Sequence, residues 1–210
     1  MGVLSRLLRS RLRAGRHRRA AVHAAKTLNT AALGLSLALA VQAGASASEA
    51  AARPPELAQA SGELLRAGGG RLTWWGFAVY DAALWTAPAF RAARFEQHEF
   101  MLTLTYLREL RARDIAKVSL EEMRRHDTSL APETAARWQE QLARLLPDIR
   151  PGERLSGLHR PGRGVLFLHN GQAIGELADP VFARLFFSIW LAAATSEPTL
   201  REQLLRGTTP

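Results

Sequence analysis

The chain has 210 residues, 47% of them apolar, which is typical of one globular domain with a substantial core. Its net charge of +9 is concentrated at the start, because residues 1–48 hold eight basic residues and no acidic one. The remainder carries 20 basic and 19 acidic residues, a balance that argues against nucleic acid as a partner. The absence of cysteine excludes disulfides, a thiolate nucleophile and the common structural zinc sites.

Residues 1–47 have the three parts of an export signal. A basic region precedes the apolar run "AALGLSLALAV", and "ASA" at Ala45–Ala47 forms an A-x-A cleavage site. The run is about half of the roughly 20 residues that cross a bilayer, so we expect a cleaved signal peptide and no stable membrane span. We predict export to a bacterial periplasm. Organellar import is the alternative, because an arginine-rich start without acidic residues also suits a transit peptide.

Two further segments follow the leader. Residues 48–62 are small, polar and proline-containing, and we interpret them as a linker, with a single domain at residues 63–210. Near the start of that domain, Gly68-Gly69-Gly70 precedes a strand rather than opening a helix. It therefore predicts a flexible turn and not a phosphate-binding loop.

Two strands are predicted next. The stretch "LTWWGFAVYDAALW", residues 72–85, is rich in aromatic residues and predicts one strand with Gly76 at a β-bulge. The stretch "EFMLTLTYL", residues 99–107, alternates between apolar and polar residues and predicts a half-buried strand.

Two amphipathic helices are predicted after these strands, over "RDIAKVSLEEMRRH" and over "APETAARWQEQLARLLP". Glu121 and Glu122 in the first helix resemble a catalytic pair of carboxylates. Neighbouring residues on a helix point about 100° apart, however, so we interpret the two as part of a solvated face.

The last third of the chain predicts three strands and two helices. The segment "LSGLHRPGRGVLFLHNGQAIGEL" contains turns at "RPGRG" and at Asn170-Gly171, a strong hairpin signal. Asp179 then caps the helix "VFARLFFSIWLAA", which is apolar nearly all round and therefore buried, and a short helix ends at Gly207. This order of elements predicts an α+β fold, with helices packed on one face of an antiparallel sheet.

Common enzyme signatures are missing from the sequence: it has no G-x-S-x-G elbow, P-loop, dinucleotide fingerprint or H-E-x-x-H motif. The histidines have no metal-ligand spacing. We therefore predict neither a cofactor nor a metal.

The aromatic stretch at residues 72–85 has two interpretations. Its side chains are typical of a core strand, but polar residues accompany them, and an apolar pocket with a few convergent polar groups is the usual form of a small-molecule site. An arginine fork suits a carboxylate. The polar residues on or beside the two predicted strands are Arg71, Tyr80, Thr105, Tyr106 and Arg108.

The sequence resembles the bacterial chalcone isomerase-like proteins in "WWGFAVYDAALW", "LTLTYLRELRARDIAKVSLEEM", "NGQAIGELADPVFARLFFSIWL" and "SEPTLREQLL". The resemblance runs from about residue 62 to residue 207. It implies an open-faced β-sandwich, in which a layer of helices covers a long antiparallel sheet and a ligand cleft lies between them.

The plant enzymes of this family cyclise chalcones without a cofactor. The resemblance puts Asp114 where they have a tyrosine, Glu121 where they have an asparagine, and Trp75 near their strand threonine. Only Ser188 keeps a matching hydroxyl. A carboxylate in place of a hydroxyl donor opposes the stabilisation of an oxyanion, so chalcone cyclisation is not expected. Asp114, Glu121 and Ser188 remain the candidates if this chain catalyses another reaction.

Other branches of the superfamily bind fatty acids in the cleft, where an arginine and a tyrosine hold the carboxylate. The resemblance therefore favours a non-catalytic, exported binder of a small apolar carboxylate or similar amphiphile. The alternatives are a cofactor-independent isomerase or intramolecular lyase, and a structural or partner-binding module whose cleft is filled. The candidate ligand-binding residues are Arg71, Trp75, Tyr80, Thr105, Tyr106 and Ser188.

Overall fold

A computed structural model describes residues 54–74 and 76–208, so the predicted signal peptide and Trp75 lie outside the described residues. The chain forms a six-stranded antiparallel sheet in which the strands lie side by side in chain order. The strands are β1 Leu65–Trp74, β2 Phe77–Thr86, β3 Phe100–Tyr106, β4 Arg154–Arg160, β5 Gly164–His169 and β6 Gln172–Leu177. The predicted hairpins of the last third of the chain, β4 to β6, are confirmed.

The four predicted helices are also confirmed. They are α1 Ala112–His126, α2 Pro132–Leu145, α3 Pro180–Leu191 and α4 Pro198–Leu204, and two 3-10 helices are Pro55–Gln59 and Ala92–Gln97. The Asp179 carboxylate caps α3 by accepting hydrogen bonds from the N–H groups of Val181 and Phe182 at 2.9 and 3.1 Å. Nowhere in 54–74 and 76–208 is there a helix long and apolar enough to cross a membrane.

The helices lie over one face of the sheet. α1 packs against α2 and α3, α3 packs against β5, and α4 packs against β1. Most of α3 is buried, as its nearly uniform apolar surface predicts. Because the strongly apolar helix lies directly over the centre of the sheet, the main core forms between these two layers.

The aromatic stretch forms a hairpin rather than the single predicted strand. β1 ends at Trp74 and β2 begins at Phe77, and these two residues pair with each other across the turn. Gly76 has φ of +77°, a left-handed conformation that glycine adopts without strain. The prediction of one strand with a bulge was wrong because Gly76 reverses the chain direction.

The three consecutive glycines lie inside β1, so the predicted flexible turn was also wrong. α4 crosses β1 so closely that a Cβ atom at Gly68 would lie 2.2 Å from the main-chain oxygen of Gln203. At Gly70, a Cβ atom would lie 1.8 Å from the Gln203 side-chain oxygen. The glycines therefore allow close approach between a strand and a helix.

The other face of the sheet is contacted by the segment around Pro55–Gln59, which belongs to the predicted linker. Leu57 packs on this face in a small apolar cluster that includes Met101 and Leu158. Glu56 is fully buried, and its Oε1 accepts a hydrogen bond from Arg154 Nε at 2.8 Å. The described part of this segment is therefore fixed to the sheet by an apolar contact and an ion pair.

Candidate functional site

An apolar cavity lies between the sheet and the helical layer. Its volume is about 70 Å³. The sheet contributes the pair Tyr80 and Tyr106, which are directly opposite each other on β2 and β3. The lining residues that the structure describes are Val79, Tyr80, Leu104, Tyr106, Leu110, Asp114, Ile115, Val118, Ser119, Glu122, Leu146, Leu155, Phe186, Ile189 and Trp190.

Two tyrosines and a tryptophan supply hydroxyl and indole groups to the cavity wall. The Trp190 indole N–H donates a hydrogen bond to the Tyr80 hydroxyl at 2.9 Å. The Tyr106 ring meets the Tyr80 ring edge-on, with centroids 5.7 Å apart. Burial raises the pKa of both tyrosines well above the usual value, so both hydroxyls stay protonated at any physiological pH.

Acidic side chains line the cavity along α1. Glu122 is almost fully buried, and its Oε2 accepts a hydrogen bond from the Ser196 hydroxyl at 3.0 Å. Burial, together with the nearby charge of Glu122, raises the pKa of Glu197. The interpretation of Glu122 as part of a solvated face was wrong, because it lies one helical turn beyond Val118 on the buried side of α1.

Arg108 lies beside the cavity, on the loop between β3 and α1. Tyr106 and Leu110, two residues before and two residues after it, both line the cavity. Its guanidinium carbon stands 5.1 Å from the ring centroid of Phe77. One of its nitrogens, Nη1, is buried and has no hydrogen-bond partner in the part of the chain that the structure describes. A buried, unpaired donor on a charged group is unfavourable, which makes this nitrogen a candidate donor to a ligand.

The predicted ligand-binding residues separate onto the two faces of the sheet. Tyr80 and Tyr106 line the cavity, whereas Arg71 and Thr105 lie on the opposite face. Arg71 is exposed and makes two hydrogen bonds to the Asp81 carboxylate, at 2.6 and 2.9 Å. The structure therefore brings together a tyrosine pair, but it does not bring Arg71 to the cavity.

The remaining predicted residues differ in their position. Asp114 lines the cavity, with the Arg113 guanidinium 3.9 Å from its carboxylate. Glu121 instead lies 4.0 Å from the Lys117 ammonium group and is not part of the lining. Ser188 is buried, but its hydroxyl donates to the Arg184 carbonyl oxygen at 2.8 Å within α3 and does not reach the cavity.

Sequence reasoning assigned only part of the helical half of the cavity wall. Asp114 was a candidate residue, but Glu122 was interpreted as solvated, and Phe186 and Trp190 were not among the candidate site residues. A signal was present, because Ile115, Val118 and Glu122 are spaced three and four residues apart and share a helix face. Among the residues that the structure describes, no group of three histidine or acidic side chains is placed to hold a metal ion.

The six-stranded antiparallel sheet, with helices over one face and a cavity between the layers, defines an open-faced β-sandwich. Residues 50–206 match the chalcone isomerase-like family, and the chain belongs to that family. A crystal structure of a fatty-acid binding protein from Arabidopsis thaliana has a similar fold, with a TM-score of 0.54 at 13% sequence identity. The match covers 70% of this chain and 89% of the plant chain, and at this identity it establishes the fold alone. No curated protein matches the sequence.

Proposed function

We propose that this protein is a non-catalytic binder of a small apolar carboxylate, such as a fatty acid, in the cavity between the sheet and the helices. The observation that carries the proposal is the cavity itself, whose wall is mostly aliphatic and aromatic, with a few polar groups. The fold that it shares with a plant fatty-acid binding protein supports the same kind of ligand. Burial of an acyl chain at roughly 0.8 kcal/mol per CH₂ group would supply most of the affinity.

The head group belongs at Arg108 rather than deep in the cavity. The described lining of the interior includes the acidic residues Asp114 and Glu122 and no arginine, lysine or histidine, so it offers no cationic partner to a carboxylate. Arg108 lies two residues from each of the lining residues Tyr106 and Leu110, and its buried Nη1 has no hydrogen-bond partner among the described residues. In this proposal the ligand carboxylate accepts a hydrogen bond from the Arg108 guanidinium, and the tail enters the apolar cavity.

A volume of about 70 Å³ is well below the roughly 300–1,000 Å³ of ordinary ligand sites. An acyl chain therefore needs side chains of the helical layer to move outward as it enters. The same small volume favours a second candidate, a structural or partner-binding module whose cleft is filled by its own aromatic residues. The two candidates differ in whether the cavity opens for a ligand.

An isomerase or intramolecular lyase would depend on Asp114, the only one of the three candidate catalytic residues that lines the cavity. A substrate whose proton lies within hydrogen-bonding distance of this carboxylate would meet the geometric requirement for a general base. We keep this function as the alternative, with Glu121 and Ser188 excluded from direct contact with a ligand in that cavity.

We also propose that the chain is exported to a bacterial periplasm, or imported into an organelle, on the basis of its basic and apolar leader. The N-terminal sequence of the protein from its cell fraction tests this proposal. Processing next to the A-x-A site, leaving Ser48 at or near the first position, is the expected result. An intact Met1 on the accumulated protein would contradict it.

Native mass spectrometry of the protein purified from the cell fraction where it accumulates tests the binding proposal. We expect a bound lipid or small acid, released on denaturation and exchangeable with added dodecanoate. A clean mass that neither dodecanoate nor a series of other acids changes would instead support the module with a filled cleft.

The Arg108→Gln variant is expected to lower the affinity for dodecanoate roughly ten- to hundredfold, because a hydrogen bond to a charged group is lost. The affinity for dodecanol, which has the same tail and no charge, should change little. Titration calorimetry with both ligands measures the difference.

The matched control is Arg71→Gln, because Arg71 is already paired with Asp81 on the other face of the sheet. We expect this variant to bind both ligands like the wild type. A selective loss of dodecanoate binding in Arg71→Gln would support the arginine predicted from the sequence, and equal losses of acid and alcohol in Arg108→Gln would contradict the head-group assignment.

A further inference from the structure

A second, smaller cavity continues the first one along the sheet. Its volume is about 20 Å³, and its own wall includes Gly157, Phe167 and Phe187. Four side chains line both cavities, namely Leu104, Leu155, Phe186 and Trp190. The two cavities therefore adjoin each other at this shared wall.

Phe186 is the member of that wall whose side chain can turn without breaking a hydrogen bond or a strand pairing. Leu104 and Leu155 are paired on neighbouring strands, so the strand ladder holds their backbones in place. The indole of Trp190 is hydrogen-bonded to the Tyr80 hydroxyl. The Phe186 side chain makes no hydrogen bond, and its ring packs against the rings of Phe167, Phe182, Phe187 and Trp190 at centroid distances of 5.3 to 5.5 Å.

Space beyond Phe186 is available because position 157 has no side chain. A Cβ atom at Gly157 would lie 3.2 Å from Phe187 Cζ, which is closer than an ordinary contact. An alanine there would fill part of the smaller cavity. The glycine on β4 thus keeps the second cavity open on the side away from the predicted head group.

We propose that Phe186 divides one long apolar channel into two chambers and sets the length of the ligand tail that the protein accepts. The inference rests on the proposed function, because it requires the larger cavity to take the tail. A short tail fills the first chamber and stops at the Phe186 ring. A longer tail enters the second chamber only when that ring turns aside, which costs ring contacts with its aromatic neighbours.

A chain-length series of straight carboxylates from hexanoate to hexadecanoate tests the proposal by titration calorimetry. For the wild type, affinity should rise by about fourfold per added CH₂ group until the tail reaches Phe186, and then level off. For Phe186→Ala, the chain length at which affinity levels off should increase by about two or more CH₂ groups. Phe186→Leu, which keeps more of the packing volume, should shift it in the same direction by a smaller amount.

Two further variants make the test specific. Phe182→Ala removes a ring that stacks on Phe186 but lines neither cavity, so it should leave the optimal length unchanged. Gly157→Ala, introduced into Phe186→Ala, should reduce the gain because its methyl group occupies part of the second chamber. Circular dichroism and thermal melting establish that each variant is folded.

The possible results separate the two proposals. If the wild type binds no member of the series, the proposed function fails, and the chain-length inference fails with it. If the wild type binds but folded Phe186→Ala and Phe186→Leu level off at the wild-type length, only the role of Phe186 is overturned. An equal shift in Phe182→Ala would also overturn it, because the effect would then come from general loosening of α3.

Discussion

Replacing Arg154 with methionine is expected to lower the free energy of unfolding by about 3 kcal/mol. Arg154 Nε is 2.8 Å from Oε1 of Glu56, whose side chain is fully buried beneath the 3-10 helix Pro55–Gln59. Oε2 of Glu56 is buried without a hydrogen-bond partner among the described residues. Without the guanidinium, the carboxylate would be left in an apolar environment with neither a countercharge nor a donor from Arg154. Urea denaturation at neutral pH measures this loss.

The reciprocal change, Glu56→Gln, is expected to cost less, about 1 kcal/mol. The Arg154 side chain is 36% exposed, so water can solvate it when the carboxylate is gone. The double variant should therefore recover part of the stability that Arg154→Met loses. The coupling energy of the pair is the sum of the two single losses minus the loss in the double variant. A larger loss in Glu56→Gln than in Arg154→Met would show that the exposed guanidinium, and not the buried carboxylate, depends on the pair.

The sequence predicted most strands and all four α-helices because their signals are local. Asn170-Gly171 marks a hairpin wherever it follows an alternating strand, and Asp179 caps α3 through bonds to residues two and three positions away. The hairpin at Gly76 was missed because aromatic residues flank the turn on both sides. Composition there resembles one continuous strand, and only the pairing of Trp74 with Phe77 shows the reversal.

The part of the candidate site that lies on the paired strands β2 and β3 could be predicted from the sequence. Tyr80 and Tyr106 share a face because β2 and β3 pair in register, and Thr105, next to Tyr106, must point to the opposite face. The side on which Arg71 lies depends on the register of the β1–β2 hairpin, which the sequence alone did not reveal. The contribution of α1 and α3 depends on how helices dock over the sheet, and no local pattern specifies that arrangement.

The Gly68→Ala variant is expected to lower the free energy of unfolding by about 2–3 kcal/mol, the upper part of the usual range for overpacking. Its Cβ atom would lie 2.2 Å from the Gln203 main-chain oxygen and 2.5 Å from that of Leu204, so α4 must shift as a whole. The three glycines were interpreted as a turn because the partner that requires them comes from the far end of the chain. Thermal and chemical denaturation measure the loss.

Gly70→Ala provides the matched control, because its nearest obstacle is different in kind. The Cβ atom would meet the side-chain amide of Gln203 at 1.8 Å and the Leu200 methyl group at 2.9 Å, and both are ends of flexible side chains. Gln203 can rotate away while the α4 backbone keeps its place, so Gly70→Ala should cost about 1 kcal/mol or less. Nearly equal losses in the two variants would mean that β1 tolerates displacement of α4. The glycines would then matter for strand conformation rather than for the close contact between the strand and the helix.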